Sequence, residues 1–383
     1  MKNKIQKIMG LASLAVLSNQ AFAQNDVSSF IRAGKDEANK LVGAYLQPVT
    51  RGLASGVNDA WYSTAKPLGL FGFDVRMGIG GSIVRDDANT FTLNGIGANT
   101  SQSSSFLLSP VNGNGDTKQP TLAGEGSSSR FAVSVLNPSN VGPQRIYTDT
   151  IAAFSGQNSS ISLGATPFLQ FSLGLVKNTE VMFRFMPIKS GDFSSTGFGI
   201  GVKHSLSQWI WGVDKLPIDI SGLFTYSNNT LELSFGDNYL NSSGDPGSLS
   251  SSEYKNSQKL SINSHGYQVG LIISKKLLFF TPYLGITQNS STTEIGMKGF
   301  YPVRSVRLNS TTQLPEYYTE NIKDPINLIS TVSSLRTAIG MRFKVGPFAL
   351  GAEYNHAFSA EQFNTFNATF AINIQQLAPI PKL

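Results

Sequence analysis

The stretch SLRTAIGMRFKVGPFALGAEYN, residues 334–355, decides the fold because apolar and polar side chains alternate along nearly all of it. Leu335 and Phe343 fall on one face of the pattern and Arg336 on the other. A period of two over this length indicates extended strands with one apolar and one polar face. The dipeptide at 346–347 is a tight connection, so the stretch predicts an antiparallel hairpin.

The same alternation recurs along the chain and predicts about ten antiparallel strands, within a range of about eight to fourteen. The strand-like segments are residues 70–83, 169–175, 181–186, 198–206, 218–226, 267–273, 278–286, 334–345, 348–355 and 366–372. Short connections at 176–179, 207–216, 275–276 and 346–347 separate them from long, polar ones at 85–165, 228–262 and 289–333. Short turns on one side and long loops on the other are typical of an outer-membrane β-barrel.

A secreted β-sandwich shows the same alternation, because its apolar face meets a second sheet. Two features favour the barrel. The polar face mixes glycine and small residues with arginine and lysine, which suits a crowded lumen, and very little helix is available to cover a sheet. Aromatic residues also fall at strand ends, where a membrane interface favours them; these are Trp209, Trp211, Phe279, Phe343 and Phe348.

The first 23 residues have the three parts of a secretory signal peptide. Lys2, Lys4 and Lys7 precede an apolar run at 8–17, and Ala-Phe-Ala at 21–23 forms a cleavage site. Removing the three lysines lowers the net charge from +6 to +3, so the basicity of the chain does not indicate nucleic-acid binding. The chain has no cysteine, which excludes a disulfide framework. We expect export to the outer membrane of a Gram-negative bacterium.

Residues 24–68 differ from the rest, because apolar side chains from Val27 to Tyr45 recur at helical spacing. A second short helix is expected to cover Arg51 to Tyr62. The segment is predicted to be a periplasmic helical segment packed on the end of a barrel formed by residues 69–383. The alternative is a plug or a partner-docking segment.

Residues 165–190 (ATPFLQFSLGLVKNTEVMFRFMPIKS), 197–217 and 324–343 resemble a family of Bacteroidetes-type outer-membrane proteins of unknown function. Residues 38–46, Trp61-Tyr62 and 64–67 are similar to the start of that family. The family is loosely similar to the FadL-like transporters of hydrophobic compounds. The resemblance therefore implies an outer-membrane barrel, and only weakly a porin-like or FadL-like transport activity. Barrel proteins commonly end on an aromatic residue of the last strand, whereas here Ile374 to Leu383 follow it.

The alternation predicts which charged residues face the lumen. The cations are Arg76, Arg184, Lys203, Arg336, Arg342 and Lys344, and the anions are Asp74, Asp219 and Glu353. Two interpretations stay open. The charges form cross-strand ion pairs that stiffen a narrow barrel, or their positive surplus attracts an anion such as the carboxylate of an amphipathic ligand.

No catalytic constellation emerges from the sequence. The three histidines are scattered, and no His/Asp/Glu cluster has the spacing of a metal site. We expect neither an enzyme nor a bound cofactor or metal. The expected partners are outer-membrane lipid and a small hydrophobic or anionic ligand, with an envelope protein as a further candidate. The predicted function is a channel or transporter for small or hydrophobic compounds; the alternative is a non-transporting structural or assembly partner in an envelope complex.

Overall fold

The structure is a computed structural model that describes residues 31, 35–93, 106–111, 118–126, 130–137, 144–151, 167–210, 217–236 and 251–374. The predicted signal peptide at 1–23, Trp211 and the stretch at 375–383 lie outside the described residues. No helix among those residues is long and apolar enough to cross a membrane.

The elements follow the chain from two helices to a long series of strands. In chain order they are α1 (Lys35–Tyr45), α2 (Gln47–Gly56), β1 (Phe73–Ile83), a 3-10 turn (Asp86–Ala88), β2 (Thr90–Thr92), β3 (Phe106–Pro110), β4 (Lys118–Pro120), β5 (Phe131–Leu136), β6 (Arg145–Ile151), β7 (Phe168–Leu175), β8 (Thr179–Ser190), β9 (Phe193–Ser205), β10 (Asp219–Ser234), α3 (Ser251–Ser257), β11 (Lys259–Ser274), β12 (Phe280–Lys298), β13 (Phe300–Leu308), β14 (Pro315–Lys323), β15 (Ile326–Val345), β16 (Phe348–Ala357) and β17 (Asn364–Ile374).

Ten strands close into one antiparallel barrel in the order β1, β17, β16, β15, β12, β11, β10, β9, β8, β7, and β7 pairs with β1. The prediction of an all-β antiparallel barrel with about ten strands is confirmed. The predicted hairpin is formed by β15 and β16, which pair from Arg336 with Ala357 to Val345 with Phe348. Closure gives every strand two neighbours, so the barrel has no unpaired edge.

The outward face of the barrel carries a continuous apolar belt. On β15 the outward side chains from Leu335 to Val345 are apolar except for Thr337, and Ile339 is 62% exposed. Ten residue steps of strand span about 34 Å. At a tilt of about 40° this gives a height of about 26 Å, close to the apolar band of transmembrane barrels.

The wall continues beyond the belt at the end that carries the long loops, called here the long-loop end. β10, β11, β12 and β15 pair through residues that we expected in loops, for example Ser264 with Thr293 and Thr292 with Thr331. The predicted loops at 228–262 and 289–333 therefore shorten to 235–258 and 299–325. Above the belt the outward side chains are polar, and so are many of the inward ones. The alternation of apolar and polar residues is therefore lost in this part of the wall.

Two connections at the long-loop end are short, in contrast to the predicted asymmetry. β8 and β9 are joined by residues 191–192, where Gly191 has a φ of +57°, and β16 and β17 are joined by residues 358–363. The connections at the opposite end, called here the short-turn end, lie where the sequence predicted them. The described parts of the long connections form a head that comprises β2–β6, α3, β13 and β14.

The two N-terminal helices lie at the long-loop end, whereas the predicted periplasmic end is the one with the short turns. Asn39 of α1 donates to the Pro325 carbonyl and accepts from the Asn327 amide, both next to the outer end of β15. Leu41 and Tyr45 are fully buried in one apolar core with side chains of the head. An amphipathic pattern predicts which face of a helix is buried, but it does not predict which part of the protein covers that face. The position of the helices agrees better with the alternative prediction, in which the segment is a plug.

Candidate functional site

Residues 57–68 connect α2 to β1 and run through the barrel lumen; they are called here the lumen segment. At its start Asn58 donates to the Tyr267 carbonyl of β11. At its end the Leu68 amide donates to the Glu180 carboxylate of β8, near the short-turn end. The lumen segment thus runs inside the barrel from the level of the middle of β11 to the short-turn end before the first strand begins. Within the described residues, this chain segment and the wall around it form the candidate site.

Trp61 fills the middle of the lumen and is fully buried. Its indole N–H donates to the Ser227 hydroxyl of β10 at 3.3 Å. A Cβ atom on Gly199 or Gly201 of β9 would lie within about 3 Å of its ring, so these two glycines make the space for it. The Arg184 guanidinium lies 4.1 Å from the Trp61 ring centroid, which adds a cation–π contact.

A buried ion pair fixes the first part of the lumen segment. Arg336 Nη1 lies 2.7 Å from Asp59 Oδ1 and donates to the Ser55 carbonyl at 2.6 Å, and Nη2 donates to Thr365 on β17. Arg184 donates to the Asp59 carbonyl at 2.8 Å. Two wall arginines on opposite sides of the barrel therefore hold one aspartate of the segment.

Tyr62 packs against a second group on the wall. Its ring meets the Tyr283 ring edge to face, with centroids 5.7 Å apart, and the Tyr283 hydroxyl donates to Glu353 at 3.1 Å. Asn355 and Asn367 also donate to Glu353. The carboxylate thus sits in a set of hydrogen bonds rather than in a direct ion pair.

The last part of the lumen segment is held by backbone hydrogen bonds. The Ala65 amide donates to the Ser274 hydroxyl at 2.9 Å, and Ser221 donates to the Ala65 carbonyl. Lys203 donates to the Thr64 carbonyl and lies 2.9 Å from Glu180. The wall therefore recognises the segment largely through its main chain.

The structure buries seven of the nine predicted lumen charges; these are Arg76, Arg184, Lys203, Arg336, Arg342, Asp74 and Glu353. Lys344 and Asp219 also follow the inward parity but are only half-buried, because both lie near the short-turn end. Arg76 and Arg342 share Asp74, at 3.5 and 3.7 Å. Whether these residues select a solute stays a prediction.

Sequence reasoning missed two buried carboxylates. Glu180 has the same parity as Met182 and Arg184 on β8, so the alternation would have found it. Asp59 lies in a segment without strand periodicity, and no sequence signal placed it in the lumen. With these two residues the fully buried charges of the described residues are five cations and four anions, a smaller surplus than the three positive charges that the prediction gave.

The predicted interface aromatics that the structure describes face outward. Trp209, Phe279, Phe343 and Phe348 are all exposed and lie at or near the short-turn end, and Trp209 is 67% exposed. The Trp209 indole N–H donates to His204. Within the described residues, no group of three or more histidine, aspartate or glutamate side chains could hold a metal ion.

Comparison with known families assigns the chain. The model of the "Family of unknown function (DUF6588)" matches residues 1–374. The chain belongs to DUF6588. The prediction of a family of unknown function is confirmed to this extent, while the Bacteroidetes origin and the FadL-like likeness stay predictions. No curated protein matches the sequence.

Solved structures similar to this DUF6588 member are outer-membrane barrels, all at low similarity. The translocator domain of the autotransporter NalP from Neisseria meningitidis has 9% identity and a TM-score of 0.29, and the match covers 85% of this chain and 92% of that one. The outer membrane protease OmpT from Escherichia coli has 9% identity and a TM-score of 0.25, with 82% and 97% covered. The toluene transporter TodX from P. putida has 8% identity and a TM-score of 0.24, with 80% and 91% covered. Likenesses at this level carry no information about function.

Proposed function

We propose that the protein is an outer-membrane channel or transporter for small or hydrophobic compounds, and that the lumen segment is its gate. The observation that carries the proposal is the way the segment closes the lumen. Many of its contacts with the wall are hydrogen bonds and ion pairs, such as those of Asp59 and Ala65. Water can replace the hydrogen bonds when the segment moves. The buried apolar contacts of Trp61 and Tyr62 with wall residues such as Met182 hold the segment in place for most of the time.

The membrane location rests on the apolar belt. Its outward side chains are exposed in the isolated chain, and a belt of about 26 Å suits a lipid bilayer. The predicted signal peptide supports export, and an outer membrane is the bilayer in which transmembrane barrels of this kind are found.

Both ends of the gate are fixed. Upstream, α1 is buried in the core of the head, and downstream the chain enters β1. A ten-stranded barrel is also far narrower than the 16-stranded porins that hold an aqueous channel. Helix α2, between α1 and the segment, also lies inside the wall, because its Gly52 and Ala54 carbonyls accept from Ser82 of β1 and Ser291 of β12. A path therefore opens where residues 57–68 and α2 move together, and it admits small solutes only.

The inward residues change from apolar to charged along the barrel axis. This change supports the proposal that the solute is hydrophobic or amphipathic. Near the long-loop end the inward residues of β11, β12 and β15 are apolar, as in Ile262, Ile295 and Leu328. Towards the short-turn end the inward residues include charged ones, as in Arg342 of β15 and Lys203 of β9. These apolar residues pack in one core with α1, so the apolar body of a solute contacts them where it replaces part of that packing, and an anionic group of the solute meets the charges at the other end.

Conductance across a planar lipid bilayer tests the proposal. We expect the wild-type protein to be closed for most of the time, and Trp61→Ala to open it more often because the largest side chain of the gate is removed. Arg184→Ala and Arg336→Ala should open it and lower its anion preference. Arg307→Gln is the matched control, since Arg307 is 62% exposed on the head and lies far from the lumen.

Closed behaviour of the wild type and of all three variants would reject the proposal. It would favour the alternative of a non-transporting structural or assembly partner. One observation supports that alternative: the head exposes large apolar side chains, among them Tyr147, Leu314 and Tyr317. Co-purification tests that alternative. An envelope protein should co-purify with the wild type in a fixed ratio and should be absent from preparations of Leu314→Asp.

A further inference from the structure

Arg342 is the lumen charge that the described residues satisfy least. The residue is 8% exposed, yet its Nε and Nη2 atoms have no hydrogen-bond partner among the described residues. The nearest carboxylate oxygen, Asp74 Oδ2, lies 3.7 Å from Nη2, which is too long for a hydrogen bond. A buried guanidinium without such bonds is costly, so its retention calls for an explanation.

The surroundings of Arg342 are positively charged. Lys344 donates to Asn373, and Asn373 donates to the Asp74 carboxylate. Arg76 lies 3.5 Å from the same aspartate, and its Nε also lacks a partner. Three cations thus share one anion, and this group keeps a net charge of +2 in a largely buried position.

We infer that Arg342, supported by Arg76 and Lys344, binds an oxyanion at the short-turn end of the lumen. The two unpartnered atoms of Arg342 lie on one edge of the guanidinium, where they form a fork for two oxygens of a carboxylate or a phosphate. An anion of charge −1 lowers the net charge of the group from +2 to +1. The inference deepens the proposed function, because it names the chemical group of the solute that the inner end of the lumen receives.

Arg342 lies close to the short-turn end of the lumen. It lies on β15 four residues before the turn residue Gly346, opposite Thr281 on β12 and Gly351 on β16. Lys344, closer to the turn, is half-buried and lies between the site and the opening. Because Nε and Nη2 of Arg342 are themselves buried, an anion from the short-turn end reaches them when the Lys344 side chain moves aside. Lys344 is not part of the lumen segment, so binding and gating are separate events.

Isothermal titration of the full chain in a non-ionic detergent tests the site, with benzoate and inorganic phosphate as probes at constant ionic strength. We expect saturable binding of at least one probe, and the tighter one tells whether a carboxylate or a phosphate is preferred. Arg342→Gln should remove binding. Arg342→Lys should weaken it about tenfold or more, because the charge remains but the fork is lost. Arg307→Gln should bind as the wild type does.

Thermal unfolding separates this role from a structural one. Because Arg342 makes no hydrogen bond to the described residues, Arg342→Gln should unfold at the wild-type temperature or above it. The inference is overturned if neither probe binds saturably, if Arg342→Lys binds as tightly as the wild type, or if Arg307→Gln loses binding equally. Since titration measures binding and not flux, a protein that binds but does not conduct would reject only the proposed function.

Discussion

The buried pair of Asp59 and Arg336 gives the sharpest test of how the lumen segment is held. The two side chains are 6% and 3% exposed and lie 2.7 Å apart. Removing one partner of a buried pair leaves an uncompensated charge and costs about 3–5 kcal/mol of unfolding free energy. Asp59→Asn should fall at the low end of this range, because Arg336 keeps its bonds to the Ser55 carbonyl and to Thr365.

Arg336→Met should cost more, because Asp59 Oδ2 already lacks a hydrogen bond and Oδ1 would lose its cation. The double variant removes both charges, so its loss should be smaller than the sum of the single losses by about 2–3 kcal/mol. The exposed pair of Arg307 and Glu316 is the matched control, also 2.7 Å apart, with an expected coupling of about 0–1 kcal/mol.

The assay is urea unfolding of the protein in lipid vesicles, followed by tryptophan fluorescence. Three tryptophans are present, and the buried Trp61 reports on the lumen directly. The reasoning is refuted if the two single losses add within about 0.5 kcal/mol, because independent sites behave in this way.

Three further changes test other parts of the structure by the same unfolding assay. Ile339→Arg places a charge in the apolar belt and should cost about 2–4 kcal/mol, while Ser333→Arg, which faces outward above the belt, should cost about 0–1 kcal/mol. Equal losses would contradict the position of the belt. Ala60 has a φ of +57°, so Ala60→Gly should raise the unfolding free energy by about 0.5–1 kcal/mol, and a loss would contradict this backbone conformation. Gly285→Ala would put a Cβ 2.1 Å from the Tyr62 hydroxyl and should cost about 1–3 kcal/mol. Tyr62→Phe should recover part of that loss, and no recovery would place Tyr62 elsewhere.

The strands within the apolar belt were predictable from the sequence because lipid and lumen impose opposite polarities on alternate residues. Leu335 and Arg336 are adjacent in the chain, yet one is exposed on the outer surface and the other is buried inside. That contrast also predicted which charges face inward. It disappears above the belt, where Thr292 and Thr293 of β12 point to opposite sides of the wall and are chemically alike. The sequence there resembles a polar loop.

The position of the lumen segment was not predictable in the same way. Trp61 and Tyr62 are adjacent and both buried, a pattern that fits the core of any domain. Their surroundings are made by distant glycines, Gly199 and Gly201 for one and Gly285 for the other. Only the folded barrel brings these residues together, so neither spacing nor composition reveals the contact.

Disulfide formation between the lumen segment and the inner wall tests the central claim most directly. The Thr64 and Ser274 hydroxyl oxygens are 3.1 Å apart, so the double variant Thr64→Cys/Ser274→Cys should form a disulfide on mild oxidation of the protein in vesicles. The chain has no cysteine of its own, and Thr64→Cys/Ser333→Cys is the control, since Ser333 faces outward. Cross-linking of the first pair alone is the predicted result. Cross-linking of the second pair, or of neither, would show that residues 57–68 do not occupy the lumen.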